Sequence, residues 1–464
     1  MKHLLILITS IMVFSANAKN SATIKGTINN RLSDSVYINY LTDHFSHQLT
    51  RVGIQLDEKG AFETVISFDD TYQEVEFLHG NQATEFIVAD GSNLSMQLDA
   101  SNFDSSLIYT GKGSNLANFS AKHVLEKGLV FDYTAKASTI FSKGKDDFVQ
   151  QLNAMAEEKA AYANAQTSVP DEFKRYWSNK FVYNNYYFEL MYDSIHKNAR
   201  QNDGTENNII PDNPPSTMFN DDFFAIPEYK MFISNYVGRE FTKYDTTPDD
   251  EFRLEDSMMR VMAQKLPYKT AEYSLANILY QKSKMYSLNT LTRLYTSFKT
   301  LFPNSEYNNQ LENTIAVKSK TSKGSKASDF TVTTIDGKAV KLSDLKGKVV
   351  FIDFWASWCS PCIKELPHSK KIAERFANND NVVFLSISID KNEKNWRNAV
   401  DKYQVPGING LDGDGWTGNI AKLYNIQSVP SYFLIDQNGN FALDRAIRPS
   451  EEEQLIDAIE GLVR

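Results

Sequence analysis

Hydrophobic and polar residues alternate in three successive rhythms along the chain. From about Ser21 to Thr110 the period is two, as in Thr23-Ile24-Lys25-Gly26-Thr27-Ile28, Ser35-Val36-Tyr37-Ile38-Asn39-Tyr40, Gly60-Ala61-Phe62-Glu63-Thr64-Val65-Ile66 and Glu85-Phe86-Ile87-Val88-Ala89. Turn signals at Asp57-Glu58-Lys59-Gly60 and Ala89-Asp90-Gly91 separate these runs, and the pattern predicts an antiparallel β-sandwich over 19–112. From 113 to 317 the spacing becomes helical. After Pro170, the residues Phe173, Trp177, Phe181, Tyr187, Phe188, Met191 and Ile195 recur at three and four, which predicts one long helix with an apolar stripe. Further helices are expected at 251–265, 270–286 and 289–301, with an exposed loop at 201–217 around Asp203-Gly204 and Asn213-Pro214-Pro215.

The third rhythm mixes the two. A basic, Ser-rich stretch at 318–327 reads as a flexible linker. Beyond it, Asp329 to Val332 and Ala339 to Leu342 flank a hairpin turn at Ile335-Asp336-Gly337-Lys338. Val349 to Phe354 is a nearly continuous apolar run of the kind a parallel strand shows when both faces are covered. A helix is expected from Pro361, whose missing N–H suits a first turn. A second buried strand follows at 381–389, then two strands at 431–435 and 440–443 around Asp436-Gln437-Asn438-Gly439, and a closing amphipathic helix at 451–463. The expected fold class is therefore multidomain: an N-terminal β-sandwich, a central all-α region, and a C-terminal α/β domain over 328–464.

Composition narrows the function. Residues 1–18 carry a basic start at Lys2, an apolar run from Leu4 to Phe14 and a small-x-small site at Ala16-Asn17-Ala18, which predicts a cleaved export leader and a periplasmic destination. No later run is long and apolar enough to span a bilayer, so no integral membrane segment is expected. The net charge is −9, or −10 once Lys2 leaves with the leader, which argues against a nucleic-acid partner. The four lysines of the linker are too few in so acidic a chain to predict a membrane-surface patch.

Only two cysteines occur, Cys359 and Cys362, and they form a C-x-x-C pair at the junction of the first apolar strand and its helix. Such a pair can cycle between dithiol and disulfide. As a structural staple it would close too short a loop to stabilise much. With His368 it offers at most three zinc ligands at unsuitable spacing. No cofactor is expected. Cys359, preceding the helix where N–H groups and the dipole favour negative charge, is the candidate attacking thiolate. Cys362, one turn inside, is the candidate resolving thiol. Asp353, set within an apolar run, and Glu365, three residues after Cys362 on the same helix face, are candidate proton acceptors. Asp412-Gly413-Asp414-Gly415 lacks the later ligands of a calcium loop and reads as a turn.

Phe351-Ile352-Asp353-Phe354-Trp355-Ala356-Ser357-Trp358-Cys359-Ser360-Pro361-Cys362, together with Ser428-Val429-Pro430-Ser431, resembles the active-site signature of thioredoxin-like proteins. Glu365-Leu366-Pro367 and the long segment between Asp390 and Ile426 are similar to the exported TlpA/ResA branch, and the resemblance covers roughly the last 140 residues. An added β-domain and helical region fit the larger exported members. The resemblance implies a thioredoxin fold and a cis-proline at Pro430. It also implies substrate contacts from Trp358 and the Val429 backbone, and a valine where branch members often carry threonine. It further implies a reductant of protein disulfides, supplied by a membrane-embedded electron donor, as in cytochrome c maturation. The rivals are an oxidase or isomerase on the same fold, and a binding protein whose thioredoxin module is a scaffold. A thiol peroxidase would need a threonine and a proline where Ala356 and Ile352 stand. The absence of histidine between the cysteines tilts the reading toward the reducing end.

Overall fold

The computed structural model describes residues 20–43, 45, 48–127, 139–200, 208–242, 251–283, 285–443 and 447–463. The expected leader at 1–18 and part of the loop at 201–217 lie outside the described residues. The chain divides into two compact units, Met1–Asp245 with Ser257–Ile278, and Thr246–Asp256 with Leu279–Arg464.

In the first unit, eight strands form two four-stranded sheets: β1 (Asn20–Asn29), β2 (Ser35–Asp43), β3 (Gln48–Gln55), β4 (Ala61–Phe68), β5 (Tyr72–His79), β6 (Gln82–Ala89), β7 (Ser92–Asp99) and β8 (Ile108–Lys112). The sheet orders are β4-β1-β7-β8 and β3-β2-β5-β6. Period-two alternation puts Ile24, Ile38, Ile66, Phe77, Val88 and Leu94 into one shared core between the sheets. All pairings are antiparallel except β1 with β7, which run parallel. The four quoted alternating runs correspond to β1, β2, β4 and β6.

The helices that follow are α1 (Phe103–Ser106), α2 (Ser114–Lys127), α3 (Lys145–Asn164), α4 (Asp171–Arg200), α5 (Pro227–Phe241), α6 (Glu251–Lys265) and α7 (Tyr268–Lys282). Helix α4 starts after Pro170 as expected, and Phe173, Trp177 and Phe181 are buried. Farther along, the stripe departs from the expected one: Ile195 is 55% exposed, whereas Tyr183, Leu190 and Tyr192 are buried. Over thirty residues a three-and-four pattern drifts around a 3.6-residue helix, so the buried face at the end is not the one aligned with its start.

In the second unit, α8 (Leu288–Leu301) and α9 (Asn308–Ser319) precede a six-stranded sheet. Its strands are β9 (Thr331–Thr334), β10 (Ala339–Lys341), β11 (Val349–Trp355), β12 (Val382–Ser388), β13 (Ile408–Leu411) and β14 (Ser431–Ile435), in the order β10-β9-β13-β12-β11-β14. Parallel β11 and β12 are joined by α10 (Ser360–Arg375), and α11 (Glu393–Tyr403), α12 (Asn419–Leu423) and α13 (Glu452–Val463) complete the domain. Alternation along β11 serves two cores. Val349 and Phe351 pack with Ile372, Leu455 and Ile459 of α10 and α13. Val350, Ile352 and Phe354 pack with Trp396 of α11 and Ile420 of α12.

Two expectations change. The stretch at 318–327 is not a flexible linker: α9 runs to Ser319, Gly324 donates to the Phe441 carbonyl (2.7 Å), Phe441 donates to Ser325 (2.8 Å) and Ala327 donates to Gly439 (2.9 Å). Backbone hydrogen bonds hold this segment, and a Ser- and Lys-rich composition is silent about them. Residues 440–443 make isolated bridges to Lys326 and Ile435 rather than a full strand.

Candidate active site

Burial of β11 on both faces drives its last residues into the domain, and the chain must then turn to begin α10. Cys359 N–H donates to the Ala356 carbonyl (3.0 Å) in that turn. Cys359 is itself the N-cap of α10, its Sγ accepting from the Cys362 N–H at 3.1 Å, with Pro361 in the first turn. The two cysteines are joined as a disulfide with Cα atoms 5.3 Å apart, and both residues are buried. The helix N-terminus therefore points at a sulfur, where a developing thiolate is stabilised.

A residue not singled out from sequence fixes this turn. Buried Asp390, after β12, accepts from the Ser357 N–H (2.8 Å), the Ser357 hydroxyl (2.7 Å) and the Ser388 hydroxyl (2.7 Å). Its signal was an aspartate closing an apolar strand, the same pattern that marked Asp353.

Asp353 lies on β11, opposite Ser386 of β12 and Tyr432 of β14. It is 5% exposed, and its Oδ1 has no hydrogen-bond partner among the described residues. Burial pushes its carboxyl up to about 7, and the negative charge of Glu365 pushes the same way. Glu365 is half-buried one turn beyond Cys362, and its carboxylate accepts from the Ser450 N–H (2.9 Å) and hydroxyl (3.1 Å) ahead of α13. Tyr432, which sequence reasoning passed over, has a buried hydroxyl without a partner among the described residues. Burial first, then the charges of Asp353 and Glu365, hold its hydroxyl far above the ordinary tyrosine range.

The Val429–Pro430 bond is cis. Val429 packs against the same core cluster that contains both cysteines. Trp358, beside Cys359, is exposed. Thus Cys359, Cys362 and Val429 share one cluster, and Asp353 and Glu365 interact electrostatically. His368 belongs elsewhere, with its Nδ1 2.8 Å from Glu452. Among the described residues no group of side chains could hold a metal ion. Gly413 and Gly415 take positive φ in the Asp412–Gly415 turn, and the Asp412 carboxylate caps α12 through Ile420 and Ala421.

Residues 322–449 match the Redoxin family. Over 140 residues the chain is 33% identical to the thiol-disulfide oxidoreductase ResA of Bacillus cereus, covering 30% of this chain and 78% of that protein. It is also 33% identical over 124 residues to ResA of Bacillus subtilis, covering 27% of this chain and 67% of that protein. The thioredoxin domain of a thiol-disulfide oxidoreductase from Bacteroides vulgatus aligns at 27% identity and a TM-score of 0.28, over 31% of this chain and 99% of that one.

Proposed function

In a chain that belongs, through its C-terminal domain, to the ResA family of thiol-disulfide oxidoreductases, we propose that the Cys359/Cys362 pair reduces protein disulfides after export to the periplasm. The reduced enzyme begins with Cys359 as a thiolate at the α10 N-terminus. Its sulfur attacks one sulfur of a client disulfide, and the other client sulfur leaves as a thiolate. Cys362 then loses its proton to Asp353 and attacks Cys359. The client dithiol departs, and the enzyme is left with its disulfide. Two electrons pass to the client, and a membrane-embedded dithiol donor returns the enzyme to its reduced form by the reverse exchange. The observation that carries the reading is the Cys359/Cys362 pair at the N-terminus of α10, with Cys359 Sγ accepting from the Cys362 N–H; the Asp353 carboxyl, raised by burial, supports it as the proton acceptor. Glu365 supports it by raising Asp353. In this proposal Trp358 and the Val429 backbone pair with an extended client strand. The expected export leader at 1–18 is part of the proposal. No helix among the described residues is long and apolar enough to cross a membrane.

Equilibrating the protein in redox buffers tests the direction. A reductant gives a Cys359/Cys362 potential near about −270 mV, whereas a value near about −120 mV turns the reading into an oxidase. Cys362→Ser should accumulate a mixed disulfide with client or model peptide, and Cys359→Ser should not. The opposite trapping pattern reverses the assigned roles.

A further inference from the structure

Trp416 carries no motif signal in the sequence, yet its position calls for an explanation. Tryptophan side chains are buried on average, and in the same unit Trp355 and Trp396 are fully buried. Trp358 and Trp416 are instead 59% and 43% exposed, and their rings meet edge to face with centroids 6.0 Å apart. Two large apolar rings side by side in water, one of them on the residue before Cys359, form a surface that loses unfavourable hydration only when something covers it.

The ledge is held from both sides by the end of β12. Asp390 grips Ser357, the residue before Trp358. On the other side, Asp412 N–H donates to the Ser388 carbonyl (2.9 Å), and the Asp412 carboxylate caps α12. Between Asp412 and α12, Trp416 sits in a tight turn closed by Thr417 N–H to Asp414 (3.3 Å) and Gly418 N–H to Gly415 (3.1 Å). Gly415 takes φ +63°, and the Lys391 side chain fills the space where a Cβ would stand. Both indoles therefore project from braced loops rather than free ones, and little ordering remains to be done when a ligand arrives.

We propose that Trp416 is a specificity-determining residue: with Trp358 it forms an aromatic ledge beside Cys359 that receives a large apolar side chain next to the client's disulfide cysteine. Trp358 is the residue before Cys359, so a client chain whose disulfide meets that sulfur passes the ledge and is its occupant. This rests on the proposed exchange reaction and adds to it a preference among clients. A ring or branched aliphatic chain covers both indoles, and glycine covers neither.

The test uses the pre-reduced full-length protein in single turnover with two short peptides, each a mixed disulfide with glutathione, carrying phenylalanine or glycine beside the cysteine. The wild type should reduce the phenylalanine peptide faster. Trp416→Ala should lower the ratio of the two rate constants by roughly fivefold, the scale of one aromatic contact, and Trp416→Phe should restore most of it. A wild type without preference, or an unchanged ratio in Trp416→Ala, overturns the proposal, because a purely structural role would slow both peptides alike. A wild type that reduces neither peptide overturns the exchange reading and this one together, whereas normal turnover of the glycine peptide without preference overturns this one alone.

Discussion

Two buried ionisable side chains, Lys180 in the first unit and Asp353 in the second, are treated in opposite ways by their neighbours. In the first, Lys180 of α4 is 0% exposed, with its ammonium 3.0 Å from Glu228 of α5 and also paired with Glu74 of β5. Burial pushes the lysine down, and the charge of Glu228 pushes it back up. In the second, burial pushes Asp353 up and Glu365 adds to that push, while Oδ1 lacks a hydrogen bond among the described residues. At Lys180 the two effects oppose each other across its contacts with Glu228 and Glu74. Reinforcing effects bring Asp353 to about 7, where a proton moves easily. Burial alone marks neither role; the sign of the neighbouring charge separates them.

The largest effect of disturbing this contrast is expected at Lys180. Lys180→Met leaves Glu228 and Glu74 without their counter-charge and should lower stability by about 3–5 kcal/mol, read by urea unfolding, with thiol–disulfide exchange unaltered. A loss below about 1 kcal/mol would mean that the lysine does not hold this cluster together.

Asp353→Asn should do the reverse. Because the folded carboxyl lies above its ordinary range, the unfolded chain ionises first as pH rises. The wild type is thus weakened progressively between about pH 4 and 7 and evenly above that. The variant should match wild-type stability at pH 4 and exceed it at pH 8 by on the order of 4 kcal/mol. Exchange at neutral pH should slow by about two orders of magnitude, within the usual range for a lost proton acceptor. Equal stability at both pH values would show that Asp353 ionises normally in the folded protein.

Glu365→Gln probes the same contrast with the smallest effect. Removing the like charge lets Asp353 fall toward the ordinary carboxylate range, so the midpoint of the pH–rate profile moves to lower pH. The weakened Ser450 contacts cost about 1 kcal/mol. A midpoint that stays in place would exclude Glu365 from tuning Asp353.

Much of the site was legible because its chemistry is local. Cys359 and Cys362 are three residues apart, Pro361 and the apolar run of β11 mark where the helix begins, and Asp353 stands out in that run. Glu365 was legible as a neighbour on the helix face, but its grip on Ser450 was not, since that residue is 85 positions away. Asp390 and Tyr432 were missed for the same reason: each acts across the sheet, and register is not written in period-two alternation. The segment between Asp390 and Ile426 hid β13, α11 and α12, which are short and interrupted by glycine turns.

Linear pattern was enough for the three-part order of elements, the thioredoxin layout of the last domain and the pairing of its two cysteines at the start of a helix. These depend on periodicity, turn chemistry and spacing, and all three are carried by neighbouring residues. Folding had to be seen before 318–327 could be known as pinned by backbone hydrogen bonds, Trp416 as the neighbour of Trp358, and Lys180 as compensated where Asp353 is not. Those outcomes depend on which distant groups are brought within a few ångströms, where desolvation and charge set the energy, and a linear pattern does not encode those distances.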